Sequence, residues 1–231
     1  MPTISAQDKH LTVLNLFTTD APDKQDSLIR EMTKIVNAAT YEGWQSSTVH
    51  AGVDSPGTAN FIQWRSGEDL EKRYAGEEFK HRTLPVFGEI TTSIRLLQNE
   101  VAHTRTAPAL NGNIEIGPGR GDYTVIAVHG VEQGNQDELI DALGESRTDL
   151  PGVPGFRSQV VLRGLRARGL EGSFVVTYAQ WDSKDAYEAH RDQDPEQWPV
   201  ARQKAHARAQ AVTTSHDINT YQVVLTRAAG E

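Results

Sequence analysis

Five stretches of this chain recur, in the same order, about half its length later. Residues 11–17 (LTVLNLF) parallel 123–129 (YTVIAVH), and 25–29 (QDSLI) parallel 136–140 (QDELI). Gly43-Trp44 is matched by Gly155-Phe156, Gln63-Trp64 by Gln180-Trp181, and residues 84–86 (LPV) by 198–200 (WPV). Mates lie 111 to 117 positions apart, and a slowly drifting offset over five ordered matches is the signature of a duplication. The 231 residues are therefore read as two small units rather than one large one. The drift accumulates between the third and fourth matches, which places the surplus residues in a Gly/Arg-rich hairpin loop at 163–172, where insertion is tolerated.

Within each unit the periodicity switches between strand and helix. Residues 11–17 read as a strand, and Leu28, Met32, Ile35, Val36 and Ala39 recur at helical spacing. Strands follow at 44–50 and 59–64 around a turn at Gly52 and Pro56-Gly57; His50 is placed on the same strand face as Trp44. Ser66 with Asp69 three residues on opens a second helix as an approximate capping box, and 94–98 closes the unit as a strand. The order βαββαβ is the ferredoxin-like arrangement, an α+β fold. The division is 1–103 for the first domain, 104–121 for a Gly/Pro/Asn/Thr-rich linker and 122–231 for the second domain. Alternate residues of the first strand are apolar on both faces, so both faces are expected to be buried. Helices cover one; the sheet of the other copy is the cover expected for the second, giving a barrel within one chain.

Composition narrows the function. No apolar run approaches the roughly 20 residues of a membrane span, and no basic segment followed by an apolar stretch opens the chain, so a cytoplasmic location and no membrane partner are expected. The absence of cysteine removes disulfides and thiolate catalysis. With 31 acidic against 23 basic residues, a net charge of −8, nucleic acid is not an expected partner. The histidines show no paired metal-ligand spacing, and 117–121 (GPGRG) precedes a strand and lacks the Lys-Ser/Thr of a phosphate loop. A homodimer is compatible with the chain, although no residue specifies one.

Residues 59–66 (ANFIQWRS), a strand ending in Asn-x-x-x-Trp before a capped helix, together with Asn15, resemble the antibiotic biosynthesis monooxygenase superfamily of dimeric α+β barrels. The resemblance spans both halves, and a tandem member of this size resembles the angucycline ring-opening oxygenases, with the anthrone-oxidising enzymes as single-domain kin. It implies an oxygenase that acts on a hydroxylated polycyclic aromatic polyketide with O2, by quinone formation or ring opening, in aromatic antibiotic biosynthesis. It also implies no tightly bound cofactor; the ring-opening variant would take reduced flavin as a diffusing co-substrate. Asn15, Asn60 and Trp64 match the groups that hold substrate oxygens in anthrone oxidisers, and Phe17, Ile62, Tyr74, His50 and His81 are the further substrate-binding candidates. Tyr74 stands where the heme-degrading branch has its iron-ligating His, which argues against heme chemistry.

The second copy has Ala127, Thr177 and Trp181 at the three principal positions, so the active site is expected in the first half, with the second half a degenerate barrel wall. The residue types suit the chemistry. An electron-rich phenolate can itself reduce dioxygen, and the protein must bind a flat apolar body, stabilise an oxyanion and exclude water. Amide and indole groups donate hydrogen bonds without titrating near neutral pH. Asn60, Ile62 and Trp64 share a strand face, the first and last roughly 13 Å apart along the backbone. A Trp closing a strand before a helix is more often core than catalyst. For a general base the candidates are His50, His81 and Tyr74. The competing reading is a non-catalytic binding or signalling module on the same fold.

Overall fold

The computed structural model describes residues 1–146 and 148–231. Among them the strands are β1 (Thr3–Ile4), β2 (Leu11–Thr18), β3 (Trp44–Gly52), β4 (Gly57–Trp64), β5 (Ser93–Thr106), β6 (Ile114–Glu115), β7 (Tyr123–Val131), β8 (Phe156–Arg168), β9 (Ser173–Trp181) and β10 (Thr213–Ala228). The α-helices are α1 (Pro22–Ala38), α2 (Gly67–Ala75), α3 (Leu84–Ile90), α4 (Gln136–Glu145), α5 (Lys184–Arg191) and α6 (Val200–Val212), and a π-helical turn, Phe79–Thr83, leads directly into α3. Eight strands close one antiparallel barrel in the order β10-β3-β4-β2-β5-β8-β9-β7, so each copy contributes four neighbours in ferredoxin-like order.

The copies join edge to edge. β5 pairs with β8 from Leu96↔Arg168 to Thr106↔Ser158, and β10 pairs with β3 from Tyr221↔Gly52 to Ala228↔Ser46. Closure leaves the barrel itself without an unpaired edge. The inner faces form a shared core in which Leu14, Leu16, Phe61 and Leu97 of the first copy meet Ile126, Val128, Val160, Leu162, Val176 and Tyr178 of the second. Burying each such side chain is worth roughly 1.5–3 kcal/mol, so the interior is a strong reason for the halves to stay together. The outer faces are covered by the helices, α1 to α3 on the first copy and α4 to α6 on the second.

The repeated residues now have structural reasons. Gly43 and Gly155 adopt φ of +77° and +78°, and a Cβ on either would fall 2.3 Å from Asp69 or Ala186 respectively. Gln63 accepts from Ser46 Oγ at 2.7 Å and donates to Thr3 O at 2.8 Å; Gln180 accepts from Ser158 Oγ at 2.6 Å and donates to Glu115 O at 2.9 Å. Thr3 and Glu115 are themselves paired in the β1–β6 ribbon, so the two glutamines clamp that ribbon from both copies.

Three expectations are corrected. The boundary at 103/104 falls inside β5, because that strand runs on to pair with β8. Residues 104–121 are accordingly not a free linker: they hold the end of β5 and β6, and Arg120 is tied down by Asp122. The 163–172 segment is strand up to Arg168 rather than loop, for the same pairing. Finally, Trp44 and His50 lie on opposite faces of β3. A β-bulge between Trp44 and Ser46 flips the alternation, sending Trp44 to the helix side and His50 into the barrel.

Candidate active site

A cavity of about 80 Å³ lies between the outer face of the first copy's sheet and the helices above it. Asn15 from β2, Trp44 and Ser47 from β3, and Asn60, Ile62 and Trp64 from β4 form its floor. Met32, Ile35, Val36 and Ala39 of α1 wall one side; Leu70, Arg73 and Tyr74 of α2, Phe79 and Thr83 of the π-helical turn and Phe87 of α3 wall the other. Local sequence sets these positions. Ser66 caps α2 by accepting from Asp69 N at 3.2 Å, and the helix then carries Leu70, Arg73 and Tyr74 on one face at i, i+3 and i+4.

The floor is apolar apart from a few polar atoms, and four of those make no hydrogen bond within the protein. They are Asn15 Oδ1, Asn60 Oδ1, Trp64 Nε1 and the Tyr74 hydroxyl, all buried. Burial pushes the Tyr74 phenol up to about 12, against the pull of Arg168, so it stays neutral and able to donate. The Asn15 amide is near enough to favour its ionisation slightly, yet makes no hydrogen bond of normal geometry with it. An unmet buried polar group costs about 1–3 kcal/mol, and most such groups in folded proteins are paired. Four of them around one cavity are the pattern of a site whose partners arrive with a ligand.

The structure brings Asn15, Asn60, Ile62, Trp64 and Tyr74 together. Phe17 stands just behind the wall, its ring 5.1 Å from that of Phe87. The two histidines are elsewhere. His50 is fully buried in the barrel interior, on the opposite sheet face, and His81 is exposed, with Nε2 3.2 Å from Glu77. Among the described residues lining the cavity none is Asp, Glu or His.

Three of the lining residues outside the expected set bear on the chemistry. Tyr41 stacks on Trp64 with ring centroids 6.4 Å apart, and Ser47 accepts from Trp44 Nε1 at 3.0 Å. Arg73 is the third. Its side chain is only 9% exposed, its guanidinium sits 4.2 Å from the Tyr41 ring centre, and Glu78 holds it at 3.3 Å. The signal for Arg73 was its position three residues after Leu70, on the buried face of α2.

The second copy reproduces the frame but not the chemistry. Ala127 pairs with Thr177 as Asn15 pairs with Asn60, and Tyr123 pairs with Trp181 as Leu11 pairs with Trp64. This half is not the solid wall expected from the sequence: a cavity of about 350 Å³ opens over Ala127, Ala179 and Trp181. Small side chains at Ala127, Thr177 and Ala179 leave that space.

The family description "antibiotic biosynthesis monooxygenase" matches residues 122–209, within the second copy. The chain is similar over its whole length to a crystal structure of an anthrone oxidase-like protein, at 71% identity and a TM-score of 0.96, covering 100% of this chain and 98% of that one. Two monooxygenase candidates share the fold at low identity. The one from Fusobacterium nucleatum subsp. nucleatum ATCC 25586 is 12% identical, covering 96% of this chain and 95% of that one, with a TM-score of 0.63. The one from Lactobacillus acidophilus NCFM is 11% identical, covering 96% and 97%, with a TM-score of 0.59. The comparison with curated proteins gave no match.

Proposed function

Because this chain belongs to the antibiotic biosynthesis monooxygenase superfamily, we propose that it is an oxygenase whose single active site is the first-half cavity and whose substrate is a hydroxylated polycyclic aromatic. The observation that carries this reading is the convergence of Asn15 Oδ1, Asn60 Oδ1, Trp64 Nε1 and the Tyr74 hydroxyl, all without protein partners, on one apolar slot.

The groups divide the work. The amide oxygens accept from substrate hydroxyls, while the indole N–H and the neutral phenol donate to the oxygen on which negative charge develops. Arg73 adds a fixed positive charge that favours the phenolate over the phenol. The phenolate then gives an electron to dioxygen inside a mostly apolar cavity. In the quinone-forming case a ring methylene becomes a carbonyl: one oxygen atom enters the carbonyl, the other leaves as water with the two methylene hydrogens, and no external reductant is required. Ring opening with insertion of one oxygen consumes two further electrons, for which reduced flavin is the diffusing co-substrate.

At about 80 Å³ the cavity is smaller than the roughly 300–1,000 Å³ of sites for drug-sized ligands, so a three-ring substrate requires its cover to move. The π-helical turn leading into α3 is the segment placed to do so, and π-helical turns mark functional sites. The test is oxygen consumption with a panel of anthrones and angucyclines, aerobic against anaerobic, with and without reduced flavin. Turnover of some panel member only when oxygen is present supports the oxygenase. Binding of panel members without turnover under any condition supports the non-catalytic module instead.

A further inference from the structure

The second-half cavity has a chemistry of its own. Its floor is flat and apolar, made by Ala127, Ala179 and Trp181, and its volume of about 350 Å³ is several times that of the first. Thr220, only 3% exposed, faces it with a hydroxyl that makes no hydrogen bond within the protein. Where the first cavity has neutral amides, this one is bordered by His129, His216 and Arg191; the rings of the two histidines lie 4.7 Å apart, on directly paired positions of β7 and β10. The one acid on its border, Asp54, is met by Lys184 at 3.6 Å.

Arg191 and Tyr187 also border a smaller neighbouring cavity, of about 210 Å³. Its remaining charged or titratable border is Arg202, His190 and His206, with Arg202 6% exposed beneath the Trp198 ring at 3.9 Å. Arg191 is held on one edge by Asp192, through Nε at 2.8 Å and Nη2 at 3.3 Å, and Arg202 is held by Asp149 at 3.1 Å, so each guanidinium reaches the partition already fixed in place by a carboxylate.

We infer that the second half holds a separate binding site for a flat aromatic anion, such as a hydroxylated aromatic carboxylate. The ring system lies on Trp181 and the two alanines, the acidic group meets Arg191, and the Thr220 hydroxyl serves a ring substituent. This site does not depend on the first cavity being catalytic.

The experiment is calorimetric titration of the full chain with 1-hydroxy-2-naphthoate, and with neutral 2-naphthol for comparison. Two variants alter the second cavity: Ala127→Phe fills it, and Arg191→Gln removes the cation from a half-exposed position while keeping a polar side chain beside Asp192. Ile62→Trp fills the first cavity. Naphthoate binding should survive Ile62→Trp, disappear in Ala127→Phe and weaken about tenfold in Arg191→Gln, the order expected for one charge-assisted hydrogen bond. The neutral naphthol should bind this site at least tenfold more weakly. Naphthoate binding that is absent in the wild type, unchanged by both second-half variants, or no stronger than that of naphthol would overturn it. Loss of binding in Ile62→Trp alone would place the ligand in the first cavity and overturn it as well.

Discussion

Asn15 and Asn60 are direct cross-strand partners on β2 and β4, and both line the same cavity with amide oxygens that make no bond within the protein. Opposed residues of this kind hold their side chains about 4.5–5.5 Å apart at Cβ, close enough to accept from neighbouring hydroxyls at one end of a substrate. Two groups that fix the same end of one ligand are not independent. The double substitution Asn15→Ala/Asn60→Ala should therefore cost much less than the product of the two single losses in kcat/KM. Losses that simply multiply would mean the amides serve different parts of the substrate.

The pairing was half visible in the sequence. Two Asn residues in apolar strands are costly, and their replacement by Ala127 and Thr177 in the repeat marked them out. Their register could not be read, because it depends on the β2–β4 ladder, which local pattern does not specify. His50 shows the limit most clearly. Simple alternation puts it with Trp44, but the bulge after Trp44 reverses the faces, and nothing in residues 44–46 announces a bulge. The long strands β5 and β8 were likewise underestimated, since their outer ends are stabilised by pairing with the other copy rather than by their own sequence.

Trp64 and Trp181 close matching strands, yet only the Trp64 indole N–H is found both buried and without a partner. Trp181 is wedged against Phe156, Tyr187 and His190 with ring centroids 5.2 to 5.9 Å away. Trp64→Phe should lower turnover by roughly the 10²-fold typical of a lost oxyanion donor while the melting temperature barely moves. Trp181→Phe should do the reverse, destabilising through lost volume and leaving turnover per folded molecule intact. Full activity in Trp64→Phe would assign that indole to the core.

His50 makes stability depend on acidity. Its Nδ1 donates to the Thr48 and Ala59 carbonyls at 3.2 and 3.1 Å, which leaves Nε2 to accept from the Tyr178 hydroxyl at 2.9 Å. Burial pulls its pKa down from 6.5 to about 4. The unfolded chain therefore binds a proton that the folded chain refuses, and stability falls as the pH drops from about 6.5 towards 4. The full loss is about 3 kcal/mol at 1.36 kcal/mol per unit. Urea titrations across that window should show the decline, and His50→Gln should flatten it; an unchanged slope in the variant would remove His50 as the cause.

With no His, Asp or Glu among the described residues of the cavity, the acid limb of the activity profile should belong to the substrate. The phenolate is the reactive form, so kcat/KM should rise with pH and level off above the pKa of the bound phenol. Arg73→Gln removes the positive charge that favours ionisation, so it should move that midpoint upward by about one unit. A midpoint that stays fixed across substrates of different acidity would reveal an enzyme base instead.

The central claim is that catalysis resides in the first copy, and the most direct measurement is oxygen consumption by Asn60→Ala beside its repeat mate, Thr177→Ala, on the same turned-over substrate. Asn60→Ala should lose roughly 10- to 10²-fold in kcat with little change in melting temperature, the order of one lost hydrogen bond to the reacting end of the substrate, and Thr177→Ala should turn over near the wild-type rate. Wild-type turnover in Asn60→Ala, or an equal loss at both positions, would contradict it.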